Sequence, residues 1–300
     1  MSNAYFTIAK PANDPFKGYL PGSPERAELK AELKRQSEQV VRIPLIIGGK
    51  EVWTDRTIKV TMPHDHQHVI AECCMAGEAE LKQAIGAALE AKEAWEEMPW
   101  EHRSAIFLKA ADRITGPYRQ VLNASTMLGQ SKTVFQAEID IAELADFLRF
   151  GVWSAQEIFK DQPLSTDGIW NRQDYRPLDG FICAITPFNF TSIGGNLPTA
   201  PAIVGNVALW KPSRTAVLAN YYYMKLLMDC GLPAGVVNFV PCDGADMSKY
   251  VIPHPKMAGF HFTGSTAVFQ GVWKQVGENI ASYANYPRLV GETGGKDYIF

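Results

Sequence analysis

One glutamate stands between glycines near the end of the chain, in Gly291-Glu292-Thr293-Gly294-Gly295-Lys296. Glycines there let a backbone approach a ligand closely. A carboxylate so placed suits a general base, a role worth about 10²–10⁴ in rate; the plainer reading is a structural turn. Upstream, Thr186-Pro187-Phe188-Asn189-Phe190 sets an amide NH2 between two aromatics. Such a donor stabilises an oxyanion, and losing one costs on the order of 10²–10³ in rate. The everyday alternative is an asparagine that holds its own turn. Trp210-Lys211-Pro212-Ser213 offers an ammonium to ribose hydroxyls, or an ordinary surface lysine. Phe262-Thr263-Gly264-Ser265 opens a helix whose free amides and dipole suit a pyrophosphate. Ser265 could equally do no more than cap that helix.

These residues need elements to position them. From Gly180 the pattern reads strand, helix, strand: strands at 181–185, 207–210, 236–240 and 259–262, with helices through 198–205, 214–230, near Asp246 and from Thr266. That alternation predicts an α/β fold with a doubly wound parallel sheet and helices on both faces. Ligands of such sheets bind at the carboxyl ends of the strands. The loops at 186–190, 211–214 and 263–266 leave those ends, and they carry the polar residues named above. No GxGxxG follows a predicted strand, so an ordinary Rossmann dinucleotide site is not supported.

Residues 78–160 read as helices, with apolar stripes at Leu81, Ile85 and Leu89, at Phe107, Ala110, Ala111 and Ile114, and at Ile141, Leu144, Ala145 and Leu148. Glu138, Asp140, Glu143 and Asp146 add acid to the last of these helices. As a group they read as a solvated face, with Glu143, between apolar neighbours, the one placed to face an active site. Residues 1–50 read as an arm punctuated by prolines and glycines. Within it, Pro24 opens a helix, and a β-hairpin turns at Gly48-Gly49 between 43–47 and 51–53. His64, His66 and His68 fall in a turn after Pro63, read as solvated in preference to a metal site, which would need supporting contacts. Residues 161–179 read as an exposed β-ribbon around Ile169, Trp170 and Tyr175, a liability unless something pairs with it.

A net charge of −3 leaves no basic footprint for nucleic acid. No apolar run is long enough for a transmembrane helix, and the first residues have no charged and apolar leader. The five cysteines, Cys73, Cys74, Cys183, Cys230 and Cys242, lack metal-ligand spacing and fit a reduced, cytoplasmic setting.

In this order, the five motifs (186–190, 210–213, Gly231-Leu232-Pro233-Ala234-Gly235-Val236, 262–265 and 291–296) resemble the motif series of the aldehyde dehydrogenase superfamily. The resemblance covers essentially the whole chain. Gly22-Ser23-Pro24-Glu25-Arg26, residues 106–112, Gln136-Ala137-Glu138-Ile139-Asp140, Ser192-Ile193-Gly194-Gly195-Asn196-Leu197 and Thr293 look most like its Δ1-pyrroline-5-carboxylate dehydrogenase branch. That resemblance implies an arm at 1–50, an NAD-binding domain at 51–160 and 180–290, an oligomerisation hairpin at 161–179 and the start of a catalytic domain at 291–300. It implies NAD as cofactor, a homodimer or higher homo-oligomer, and an aldehyde substrate, glutamate γ-semialdehyde, oxidised to glutamate in proline catabolism. Asn189 would hold the thiohemiacetal oxyanion and Glu292 would activate the hydrolytic water. Thr186 and Lys211 would contact NAD, with Gly264, Ser265, Thr266, Ala267 and Val268 lining its pyrophosphate and nicotinamide side. The family's nucleophilic cysteine would lie beyond residue 300, the chain being the N-terminal part of a longer protein. Another semialdehyde dehydrogenase, or an NAD-binding fragment without turnover, remains the alternative.

Overall fold

The computed structural model describes residues 6–294. Helix α1 (Pro24–Ser37) starts where Ser23 caps it and Pro24 occupies the first turn. Strands β1 (Val41–Ile43), β2 (Leu45–Ile47), β3 (Lys50–Val52), β4 (Thr57–Met62) and β5 (Asp65–Cys74) follow. Four helices come next: α2 (Glu78–Glu97), α3 (Trp100–Thr115), α4 (Arg119–Gln130) and α5 (Val134–Lys160). The second half runs β6 (Phe181–Ile185), α6 (Thr191–Ile203), β7 (Val207–Lys211), α7 (Val217–Cys230), β8 (Val237–Phe239), α8 (Gly244–Asp246) with a π-helical extension (Met247–Val251), β9 (Met257–Gly264), α9 (Thr266–Glu278) and β10 (Arg288–Thr293).

The main sheet has seven strands in the order β10-β9-β6-β7-β8-β2-β3. From β10 to β8 every pairing is parallel. The β2–β3 hairpin adds itself antiparallel beside β8. Near-continuous burial along β6 and β7 is what helices on both faces of a parallel sheet require. The predicted doubly wound α/β sheet is therefore present, extended by a hairpin that the sequence put in the arm. Gly48 and Gly49, both at positive φ, form its turn. Ile43 belongs instead to β1, opposite Cys73 in a second sheet of order β1-β5-β4.

Four further expectations need correction. The acids of α5 are not a solvated face: Glu138 and Asp140 are fully buried and Asp146 nearly so. Glu138 accepts from the Tyr19 hydroxyl (2.7 Å), the Asn123 amide (2.9 Å), the Lys17 backbone (2.8 Å) and the Arg119 guanidinium. Asp146 accepts from Asn13 and from the Asp14 backbone. Acids spaced along one helix thus dock the N-terminal arm, and neighbouring apolar residues gave no sign of their partners some hundred positions away. Second, only His64 lies in the turn; its Nδ1 is 2.7 Å from Ser131 Oγ. His66 and His68 lie on β5, and His68 Nε2 meets the Ser37 carbonyl at 2.6 Å. Third, 161–179 is an exposed excursion closed by one backbone bridge, Thr166 with Ile169, and not a laddered ribbon. Side chains replace the ladder: Gln162 bonds both ways with the Gln173 backbone, and Asn171 with Leu164 and Ser165. Fourth, Gly291-Glu292-Thr293 is no turn but the end of a strand, pairing Glu292 with Thr263 in register. Gly295 and Lys296, and with them most of 291–300, lie outside the described residues.

Candidate active site

At the carboxyl ends of β9 and β10, beside the first turns of α6, lies a cleft of about 530 Å³. Two carboxylates line it, Glu292 from β10 and Glu143 from α5, with Phe147, Phe190, Asn196 and His261. Strand alternation places Val290 and Glu292 on one face and Gly291 on the other. A Cβ at Gly291 would lie 2.5 Å from the Phe269 ring, so only glycine lets that ring pack against the strand bearing Glu292. Phe269 in turn stacks on Phe262 and Phe260. The Thr263 hydroxyl donates to Glu292 Oε2 at 3.4 Å, a long contact on an exposed carboxylate.

Across the cleft, the Ser192 hydroxyl donates to Glu143 Oε2 at 2.7 Å. One turn earlier on α5, Asp140 caps α6: its two oxygens accept from the backbone amides of Thr191 (2.9 Å) and Ser192 (2.8 Å). Lys132 completes that buried carboxylate at 2.8 Å and lies 3.9 Å from the centre of the Phe190 ring. Helix α6 sits close enough for this because Gly195 has no side chain; a Cβ there would lie 2.6 Å from both Leu144 and Tyr223. His261 Nδ1 meets the Leu197 carbonyl at 2.9 Å, which assigns the ring proton to Nδ1. Burial pulls its pKa down, and the bond to Leu197 opposes that only in part.

Asn189 is exposed next to Phe190 on the loop that Asp140 anchors, outside the residues lining the cleft. Among the described residues its side chain has no hydrogen-bond partner, so it does not hold its own turn. Thr186 is buried at the tip of β6, where its hydroxyl accepts from Trp210 Nε1 at 3.1 Å and keeps its own proton to donate. Lys211, at the parallel tip of β7, is half-buried, and burial lowers its pKa. Ser265 caps α9 by accepting from the Val268 amide at 3.4 Å. Thr266 and Ala267 then head the helix with amides outside its own hydrogen-bond ladder. Ser265 through Val268 are all exposed, and Gly264 ends β9 just before them. A row of free amides and hydroxyls across the tips of β6, β7 and β9 fits a dinucleotide: diphosphate on the α9 terminus, ribose hydroxyls towards Lys211.

The sequence missed Asp140 as a capping residue, and also Phe147, Asn196 and His261. A capping acid on the preceding helix has no local signature, because its partners are backbone amides fifty residues on. All five cysteines are free and buried. Burial raises Cys183, and pushes Cys73 and Cys242 up to about 12. Buried thiols of this kind are inert nucleophiles.

Parallel sheet, strand-tip loops and glutamate-bearing edge strand agree with a comparison against known families: residues 52–300 match the aldehyde dehydrogenase family, to which the chain belongs. Among individual relatives, it is 49% identical to the Δ1-pyrroline-5-carboxylate dehydrogenase of Agaricus bisporus, over 98% of this chain and 54% of that protein. It is 47% identical to the mitochondrial Δ1-pyrroline-5-carboxylate dehydrogenase of Bos taurus, over 96% of this chain and 52% of that protein. The crystal structure of the Mycobacterium tuberculosis enzyme of that name bound with NAD superposes with a TM-score of 0.97 at 51% identity, covering 99% of this chain and 56% of the other. The chain thus spans about half the length of the curated relatives it matches.

Proposed function

We propose that this chain carries the dinucleotide site and the general base of an NAD-dependent dehydrogenase that oxidises L-glutamate γ-semialdehyde, derived from Δ1-pyrroline-5-carboxylate, to L-glutamate in proline catabolism. The observation that carries the reading is the cleft at the tips of β9 and β10, where Glu292 and Glu143 converge beside the strand-tip loops. NAD, when bound, supplies the two-electron acceptor. Thr266 and Ala267 amides hold its diphosphate, with Gly264, Ser265 and Val268 beside them, and Lys211 and Thr186 meet its ribose side. Asn189 donates its unpaired amide to the oxyanion of a thiohemiacetal. Glu292 takes the proton of the water that hydrolyses the thioester, releasing glutamate. The attacking cysteine is none of the five described here, all of which are free and buried. Glu143, negative and fixed by Ser192, suits the α-ammonium group of an amino-acid semialdehyde better than a plain alkyl chain.

A homo-oligomer belongs to the same reading: Leu164, Ile169 and Trp170 project from the excursion at 161–179, between 58% and 89% exposed, where a second copy would cover them. Among the described residues no helix is long and apolar enough to cross a membrane. A cytoplasmic setting fits five unpaired cysteines.

The test is a substrate panel on the complete protein, read as NADH formation. Turnover of pyrroline-5-carboxylate well above that of succinate semialdehyde and simple aliphatic aldehydes is expected. Efficient oxidation of the aliphatic aldehydes with none of pyrroline-5-carboxylate would overturn the substrate assignment.

A further inference from the structure

Three titratable residues line the cleft, Glu292, Glu143 and His261, and only His261 has no part in the chemistry proposed above. In the parallel pairing of β9 with β10, His261 stands opposite Val290, and Thr263 opposite Glu292. Strand alternation puts these four side chains on one face, with His261 and Glu292 diagonal to one another. At the usual strand spacing and rise, their Cα atoms lie about 8 Å apart. Side chains of this reach leave a gap that one or two waters fill, and a cleft of about 530 Å³ has room for them.

The bond to the Leu197 carbonyl fixes how the ring can be used. Nδ1 carries the proton in that bond, so in the neutral imidazole Nε2, on the far side of the ring, is a bare acceptor. Among the described residues Nε2 has no hydrogen-bond partner. Burial favours the neutral form, lowering the pKa by more than the Leu197 bond raises it. The charged groups facing the ring are Glu292 from β10 and Glu143 from α5. Helix α6 brings Leu197 and Asn196, and β6 brings Ala184 in register, none of which titrates. An ordinary glutamic acid is a stronger acid than an imidazolium by about two pKa units, so a proton shared between such groups runs from carboxyl to ring.

We propose that His261 is the proton acceptor behind the general base: through water it takes from Glu292 the proton removed from the hydrolytic water, and so returns Glu292 to its carboxylate. The water oxygen bonds to the thioester carbon, and the carbon–sulfur bond breaks with its electron pair on sulfur, releasing the γ-carboxylic acid. The proton moves from water to Glu292, then to Nε2, and leaves to solvent in the open cleft while Nδ1 stays bonded to Leu197. His261 thus acts through Glu292 and touches neither substrate nor cofactor. The inference rests on the reading of Glu292 as general base and deepens it.

NADH formation by the complete protein, followed through the first turnover and at steady state, tests it. His261→Gln keeps a donor for the Leu197 carbonyl but cannot carry the proton onward. Its first turnover should still release NADH in a burst, because hydride transfer precedes hydrolysis, and its later turnover should fall about tenfold or more. His261→Ala should be slowed alike and should recover with added imidazole, in proportion to its concentration. Turnover of the parent should decline as acid protonates the ring, below about pH 6.5, and His261→Gln should lack that limb. His261→Gln turning over at the parent rate would overturn the proposal. So would slow variants that imidazole leaves slow, or that keep the parent's acid limb, since His261 would then only tie α6 to β9. Continuous turnover by Glu292→Gln would remove the base and the relay together, whereas a Glu292→Gln burst beside a fast His261→Gln would sink the relay alone.

Discussion

Replacing Asp140 with alanine should loosen the catalytic corner from a position that touches no ligand. Asp140 is fully buried, takes the Thr191 and Ser192 amides on its two oxygens and pairs with Lys132 at 2.8 Å. Alanine leaves two amides at the head of α6 without their cap and a mostly buried ammonium without its carboxylate. Breaking a buried pair from one side costs about 3–5 kcal/mol, and the lost cap is part of the same cost. At about 2–4 °C per kcal/mol for a unit of this size, melting should fall by roughly 10 °C. Asp140→Asn, which keeps one acceptor oxygen and loses the charge, should fall between. Melting by circular dichroism gives the magnitude, and hydrogen exchange gives the location: the Thr191 and Ser192 amides should exchange much faster in Asp140→Ala. An Asp140→Ala protein that melts within about 2 °C of the parent, with those amides still protected, would refute this account of what holds the 186–190 loop.

Acid should release the N-terminal arm. Burial by itself would raise the Glu138 carboxyl, but bonds from Arg119, Tyr19, the Lys17 amide and Asn123 outweigh it and hold its pKa below the usual value. Stability from a depressed carboxylate is fully present above its unfolded value of about 4.3 and is lost as pH falls through the lower folded value. Melting temperature should therefore drop steeply below about pH 4, and Glu138→Gln should be less stable at neutral pH with a flatter acid limb. The five cysteines are buried, with Cys73 and Cys242 pushed up to about 12, so a thiol reagent at neutral pH should label almost none until denaturant is added. Rapid labelling of the native protein would contradict that burial.

The main sheet was legible because each of its central strands is a short buried run between glycine or proline signals. Its carboxyl-end loops followed from topology alone. Helix α7 begins at Val217 where the pattern suggested Arg214, which lengthens the strand-tip loop after β7. The β10 strand was hidden by the glycines around Glu292, which read as turn residues; Gly291 in fact makes room for Phe269. The acids of α5 were misread for a related reason. Charge on a helix looks solvated until its partners are known, and Glu138 and Asp146 each take partners, Tyr19 and Asp14 among them, from an arm more than a hundred residues earlier. Glu143 was separable from them by its apolar neighbours, and it alone of the four lines the cleft with Glu292.

The central claim is that Glu292 activates water at the end of a cysteine-based oxidation, and one pre-steady-state measurement addresses it directly. Glu292→Gln in the complete protein, mixed with NAD and pyrroline-5-carboxylate, should form NADH in a single burst matching the enzyme concentration and then slow by about 10²-fold or more, because the thioester waits for a base. Continuous turnover by Glu292→Gln at the parent rate, with no burst, would contradict the account.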